Sequence, residues 1–259
     1  MNFIFPMGGL SSRFTNAGYT VPKFQLEVQG ATVFEHAVVG FHQFFNDHNF
    51  VFAFRGGAEI ASFINEKCRS MGIPASNIKL VALDKITSGQ AETVRIAIEK
   101  SEIPLNDPIV IFNIDTFQSN YTLPKVFDLN KVDGYLEVFV AQGTHWSFVD
   151  PGADFSVRKV TEKIRISDYC SSGLYHFRRA IDFCKAYDRT RDLPVENLQG
   201  GERYVAPLYN DLIKAGADIR YDLVDIDQLA FCGIPEEYDA VRNRTDLPTS
   251  ALLDKIRRG

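Results

Sequence analysis

Short apolar runs alternate with segments of helical periodicity through the first half of this chain, and that alternation limits what it can fold into. Phe3, Ile4 and Phe5 form an apolar run suited to a strand buried on both faces. Pro6 has no N–H to give a ladder and marks the end of the run. Thr32-Val33-Phe34-Glu35 reads as a capping box opening a helix. Behind it Val33, Ala37, Val38, Phe41, Phe44 and Phe45 recur at helical spacing. The pattern then predicts a strand over Phe50–Phe54 and a helix marked by Ile60, Phe63, Ile64 and Cys68, stopped near Gly72 and Pro74. A strand over Ile78–Leu83, a helix over Thr87–Lys100 and a strand over Ile109–Phe112 follow. Such alternation predicts a parallel sheet built from βαβ units.

After Asp115 the pattern changes. Tyr135–Gln142, His145–Val149, Val157–Lys163 and Cys170–Phe177 read as strands with short connections, which predicts antiparallel additions to the sheet. Helices are predicted near Ala180–Tyr187, Tyr204–Ala215 and Pro235–Asn243, and strands over Ile219–Ile226 and Leu229–Cys232. The tail from Asp246 is charged and is expected to be peripheral. With 259 residues, 45% of them apolar, a full core needs no staples. No Gly/Ser linker, repeat or low-complexity block interrupts the chain, so one domain over residues 1–259 is expected.

Charge and cysteine usage narrow the function. A net charge of −5 and a pI of about 5.6 argue against non-specific nucleic-acid binding as the main task, while leaving room for a local basic pocket. Cys68, Cys170, Cys184 and Cys232 are scattered, without metal-ligand spacing or a disulfide framework. Reduced thiols fit a cytoplasmic protein. Met1 leads directly into strand-like sequence, so no signal peptide is expected. No apolar run approaches the roughly 18 residues needed to span a bilayer, so no membrane partner is expected.

The stretch from Met7 to Lys23 carries the strongest chemistry. Gly8 and Gly9 follow the first strand and let a ligand approach the backbone. Ser11 and Ser12 add hydroxyl donors. Arg13 adds a rigid fork of N–H groups suited to phosphate oxygens, and Lys23, placed by Pro22, adds a compact ammonium. A glycine pair after a strand is by itself often just a turn. The assembled span resembles the signature of the nucleotidyltransferases that activate sugar phosphates and related phosphorylated alcohols. That family's pattern is Gly-Gly-x-Gly-Ser/Thr-Arg, a gap, then Pro-Lys. Gly8, Gly9, Ser12, Arg13, Pro22 and Lys23 match it, and Ser11 stands where the family has a third glycine.

The resemblance implies an α/β, Rossmann-like three-layer fold with a mixed, mostly parallel sheet and a C-terminal antiparallel extension. It implies a nucleotide-binding half over about residues 1–118 and an acceptor-binding half over about 119–245. Nucleotide contacts are expected from Met7, Gly8, Gly9, Ser12 and Arg13, and from Ser88, Gly89 and Gln90. In that second segment Thr87 or Ser88 can cap the helix, leaving N–H groups free for a ligand. Asp115, at the end of a strand, is expected to bind Mg2+; a lone Asp there also suits a turn cap. The family's Glu-Lys pair falls on Glu162 and Lys163, with Glu162 meeting the acceptor's polar body and Lys163 its phosphate. Adjacent strand residues face opposite ways, so both can reach one ligand only if the strand twists or ends there. A surface ion pair is the alternative reading. Ser172 and Gly173 match a family segment lining the acceptor pocket.

A second metal-binding Asp of the family would fall on Phe231, with Asp225 or Asp227 as candidate substitutes. His36, His42, His145 and His176 suggest no nucleophile relay, and Trp146 reads as core. The implied reaction transfers an NMP from an NTP to a phosphorylated small-molecule acceptor and releases pyrophosphate, feeding surface-polysaccharide synthesis. Arg13, Lys23 and Lys163 would be its catalytic cations, and a monomer or homodimer is expected. Two alternatives share the fold: a GT-A-like glycosyltransferase and a non-catalytic nucleotide-binding module. Asp115-Thr116-Phe117 lacks the Asp-x-Asp pair of the first.

Overall fold

A computed structural model describes residues 1–258. The strands are β1 (Asn2–Met7), β2 (Glu27–Val28), β3 (Ala31–Thr32), β4 (Asn49–Phe54), β5 (Ile78–Ala82), β6 (Ile109–Phe112), β7 (Thr116–Gln118), β8 (Gly134–Val140), β9 (Ser147–Pro151), β10 (Val157–Glu162), β11 (Tyr169–Phe177), β12 (Ile219–Leu223) and β13 (Leu229–Phe231). The helices are α1 (Ser12–Asn16), α2 (Val33–Val39), α3 (Ala58–Ser70), α4 (Gln90–Lys100), α5 (Ala180–Thr190), α6 (Tyr209–Lys214), α7 (Pro235–Asn243) and α8 (Ser250–Arg258).

One mixed sheet runs β10-β9-β11-β6-β1-β4-β5, with β8 pairing β11 and β12. The strands β5, β4, β1 and β6 are mutually parallel, as the βαβ pattern predicts. β11 reverses direction against β6 and carries β8 and β9 antiparallel, the predicted extension. β12 rejoins β8 in parallel. The short strands β7 and β13 form a separate antiparallel ribbon.

The parallel part of the sheet is buried on both faces, so β1, β4 and β6 are apolar apart from Asn2 and Asn49 at the starts of β1 and β4. Phe3 and Phe5 point into a core shared with α2 and α3, and Ile4 into one shared with α4 and α5. Parallel register sets Phe3 beside Phe50 and Phe5 beside Phe52. Their rings stack at 5.1 and 5.2 Å between centroids, and Phe41 closes on both Phe3 and Phe5 from behind α2. The capping box forms as expected: the Thr32 hydroxyl accepts from the Glu35 N–H, and the Glu35 carboxylate accepts from the Thr32 N–H at 2.8 Å. α2 is shorter than the periodicity predicts. It ends at Val39, and a 3-10 turn over His42–Phe44 carries the later aromatics inward. No helix among the described residues is long and apolar enough to cross a membrane.

The tail does not behave as expected. Its charges face outward, but Leu247 and Leu253 are buried against the α2 side of the core. His36 of α2 is sandwiched between the tail and the early chain. Its Nε2 lies 2.9 Å from the Val28 carbonyl and its Nδ1 2.6 Å from the Thr249 hydroxyl. A carbonyl can only accept, so Nε2 carries the proton and Thr249 donates to Nδ1. Burial lowers the His36 pKa, in keeping with a neutral ring. Arg257 adds an ion pair to Glu35 at 3.4 Å. The charged composition therefore hid an amphipathic helix whose apolar stripe closes the core. Leu253→Ala is expected to destabilise the protein by about 2–5 kcal/mol in chemical denaturation. A loss near zero would return the tail to the periphery.

Candidate active site

The carboxyl ends of the parallel strands open into one cleft of about 810 Å³. Beyond β1, Gly8 is buried, and neighbouring side chains occupy the space a Cβ would need. A Cβ would sit 2.7 Å from the Leu83 side chain and 3.0 Å from the Thr93 hydroxyl. Gly9 faces open space. Ser11 stands at φ +52°, in the left-handed region. The departure from the family's glycine therefore leaves the loop with a glycine-like backbone. Arg13, exposed on α1, lines the cleft. Lys23, just past Pro22, forms an ion pair with Asp115.

The second loop sits beside the first. Contrary to expectation, neither Thr87 nor Ser88 caps the helix, which starts at Gln90 with Gly89 in the cap position. Thr87 pairs with the Thr93 hydroxyl at 2.8 Å instead. Ser88 donates its N–H and its hydroxyl to the Glu92 carboxylate, at 2.5 and 2.7 Å. Burial pushes the Glu92 pKa up, but the Ser88 hydrogen bonds outweigh it and the net shift is downward. Gly89 (φ +147°) passes so close to the chain at Arg203 that a Cβ would lie 2.5 Å from its nitrogen. The Ala91 N–H is spent on the Arg203 carbonyl at 2.7 Å. Arg203 in turn donates to the carbonyls of Thr190, Arg191 and Leu193, which fixes the 191–205 strap along this side of the cleft. The Gln90 amide donates to Asn113 Oδ1 at 2.5 Å and ties the helix to the end of β6.

Asp115 follows β6 in a turn held by the Cys232 N–H, which donates to its carbonyl at 2.7 Å. Its side chain is about a quarter exposed. Opposite lies Gly233, where a Cβ would stand 3.3 Å from the Asp115 carboxylate and 3.4 Å from that of Glu237. The missing side chain leaves a gap that both carboxylates border. Glu237, on α7, also accepts from the Gly233 N–H at 2.8 Å. Among the described residues no cluster of three or more His, Cys, Asp or Glu side chains gathers for a metal. The donors present suit a magnesium ion that takes most of its ligands from water and substrate phosphates. Asp225 caps a turn by accepting from the Asp227 N–H at 3.1 Å. Neither residue lines the cleft, so neither replaces the family's second Asp.

β10 ends at Glu162, and Lys163 turns out of it at φ +56°. That break lets neighbouring residues line the same cleft. Each has a partner other than the other: Glu162 accepts from the Ser147 hydroxyl, and Lys163 donates to the Tyr204 hydroxyl at 2.6 Å. Burial raises the Glu162 pKa, with the Ser147 hydrogen bond and Lys163 opposing it. Trp146 is not core. It is half-buried on the cleft wall, its ring 4.7 Å from that of Phe231 and 4.2 Å from that of His145. Gly173 stands at φ +94° with the Asn113 side chain filling the place of a Cβ. The Ser172 hydroxyl turns inward and donates to buried Glu137 at 2.7 Å.

The cleft thus brings together Met7, Gly8, Gly9, Ser12, Arg13, Lys23, Ser88, Gly89, Gln90, Asp115, Glu162, Lys163, Ser172 and Gly173. Sequence reasoning missed Glu237, Ser147, Tyr204 and the role of Trp146. A Ser-Trp pair directly across a ladder from Glu-Lys was the available signal for two of them, since Ser147 pairs with Glu162.

No protein-family model matches the sequence, and no curated protein does. Solved structures do. The crystal structure of a nucleoside-diphosphate-sugar pyrophosphorylase from Vibrio cholerae RC9 is 41% identical, with a TM-score of 0.86, over 93% of this chain and 100% of that one. An inositol-1-phosphate CTP transferase from T. maritima superposes with a TM-score of 0.72 at 13% identity, over 100% and 96% of the two chains. A Bacillus anthracis protein assigned as a glucose-1-phosphate thymidylyltransferase superposes with a TM-score of 0.70 at 17% identity, over 93% of each chain. These two share the fold. The chain belongs to the sugar-phosphate nucleotidyltransferase family and is an enzyme of the nucleotidyltransferase type.

Gly173→Ala would force a side chain into the Asn113 amide at a left-handed backbone position. It is expected to cost about 1–3 kcal/mol of stability, measured by thermal or urea unfolding. An unchanged midpoint would show that the site tolerates a Cβ there.

Proposed function

We propose that this enzyme transfers a nucleoside monophosphate from an NTP to a phosphorylated small molecule, a sugar 1-phosphate or a phosphoalcohol. An oxygen of the acceptor phosphate attacks the α-phosphorus, the bond to the bridging oxygen of the β-phosphate breaks, and pyrophosphate leaves. The observation that carries this reading is a cationic row in one cleft: Arg13 and Lys23 on the β1 side and Lys163 on the β10 wall. Phosphates repel each other, so the protein's main task is to gather and orient them.

In this reading the glycine loop from Met7 to Arg13 cradles the NTP, and Arg13 takes up charge on the departing pyrophosphate. Lys23 lies between the NTP and the acceptor and offsets charge on the α-phosphate. Ser88, Gly89 and Gln90 border the nucleoside. Lys163 holds the acceptor phosphate, and Glu162 accepts from a hydroxyl of its body. The aromatic wall of Trp146 and Phe231 suits an acceptor with a C–H-rich face. Asp115, with Glu237 across Gly233, would hold Mg2+, which supplies charge neutralisation to the phosphate oxygens. Before substrate enters, the ion pair with Lys23 holds the Asp115 side chain in place.

A glycosyltransferase reading fares worse. Phe117 occupies the second acid's position of an Asp-x-Asp pair and is buried, stacked on His36 at 4.8 Å.

The test is pyrophosphate release from each of CTP, dTTP, UTP and GTP with sugar 1-phosphates, inositol 1-phosphate and phosphocholine, with Mg2+ present. At least one pair is expected to turn over. Lys23→Ala and Arg13→Ala are each expected to lower that turnover by about 10²–10³ while remaining folded. Near-normal rates in either variant, or no pyrophosphate from any pair, would remove the assignment.

A further inference from the structure

We propose that buried Glu137 is a positioning residue for the acceptor side of the cleft. It holds the Ser172 hydroxyl, and through it the bulge of β11, against the turn that carries Asp115. This use of the bulge rests on the acceptor reading given above; the bracing itself does not.

Register supplies the first argument. On β11, Ser171 pairs with Val138 of β8 and Tyr175 with Leu136. Ser172, Gly173 and Leu174 are therefore all opposite the single residue Glu137. A bulge with surplus residues bends its strand and re-aims side chains, and it persists only where something fixes it. Glu137 is that fixture. Its carboxyl accepts from the Ser172 hydroxyl at 2.7 Å and from the Gln118 amide on β7. From the bulge, the Ser172 carbonyl accepts from the Thr116 hydroxyl at 3.1 Å, and the Gly173 carbonyl from the Asn113 N–H at 3.2 Å. Both contacts land on the Asn113–Thr116 turn. One side chain thus links the acceptor wall to the Asp115 turn.

An acid is an unusual choice for this place. Glu137 is almost fully buried, and among the described residues no cation pairs with it. Asp222 of β12 pairs with it across the ladder. Burial pushes the Glu137 carboxyl up to about 7, Asp222 adds to the rise, and the Ser172 and Gln118 hydrogen bonds oppose it. A purely structural filler at this position would be apolar and less costly to bury. The carboxyl accepts from the two donors on separate oxygens. Gln118 Oε1 is also buried without a partner. That acceptor is ready for a donor at Glu137, such as the carboxylic proton or the amide of Glu137→Gln after a flip of the Gln118 amide.

The test is amide hydrogen exchange in the free enzyme, which needs no substrate. Glu137→Leu is expected to speed exchange at Asn113 and Leu174 at least about tenfold, with the β1 amides of Ile4 and Phe5 unchanged. Glu137→Gln keeps an acceptor for Ser172 and is expected to stay within about threefold of the parent. Ser172→Ala should reproduce Glu137→Leu, and the double variant should exchange no faster than either single one. Ser172→Ala decides the matter if Glu137→Leu does not fold. Parent-like exchange in Ser172→Ala, equal loss in Glu137→Gln and Glu137→Leu, or matching acceleration in β1 would each overturn the proposal. Because no NTP or acceptor enters this experiment, its failure is separate from failure of the pyrophosphate screen.

Discussion

The ion pair between Lys23 and Asp115 is the contact on which the arrangement of the cleft depends. It joins the loop after β1 to the turn after β6, two segments far apart in sequence that the parallel sheet makes neighbours. Both side chains are about one-fifth to one-quarter exposed, so the pair's net contribution to stability is small, about 0–1 kcal/mol. Its value is positional. On the function proposed above, the ammonium and the carboxylate hold each other where phosphates and a divalent ion would later divide them. An open pair can be separated by substrate at little expense, which a fully buried one could not.

Around that pair the backbone is held in conformations that few side chains adopt freely. Ser11 and Lys163 are non-glycine residues in the left-handed region, and Gly89 and Gly173 approach neighbouring atoms too closely for a Cβ. Three of these positions are fixed by contacts from outside their own segments: Arg203 against Gly89, Asn113 against Gly173, Tyr204 against Lys163. Conformations of this kind cost free energy and persist only when surrounding packing overdetermines them. The rigid, aromatic-rich sheet behind the cleft provides that packing, with Phe3, Phe5, Phe50 and Phe52 stacked across β1 and β4.

The parts of the molecule readable from sequence are those whose cause is local. The βαβ half showed itself because strand and helix periodicities repeat over a few residues. The capping box needed only Thr32 and Glu35. The mixed sheet with its antiparallel extension followed from connection lengths. Two features misled for a physical reason. Thr87 and Ser88 look like helix caps, but the helix starts too late for either: Gly89 takes the cap position, Thr87 pairs with Thr93 and Ser88 donates to Glu92. The tail's charges mask Leu247 and Leu253, and the helix that carries Leu253 packs on α2, over two hundred residues earlier.

What the sequence by itself determined was the fold class and the kinds of charge the chain can offer, because both follow from periodicity and from residues a few positions apart. Only the tertiary structure decided which of those charges meet. Glu237 came to border the same gap as Asp115, Asp225 and Asp227 were left outside the cleft, and Trp146 became a wall of it. The break at Lys163 let two adjacent residues line one cleft. These outcomes rest on contacts between segments remote in the chain, and no local pattern of residues encodes the distance at which such segments come to rest.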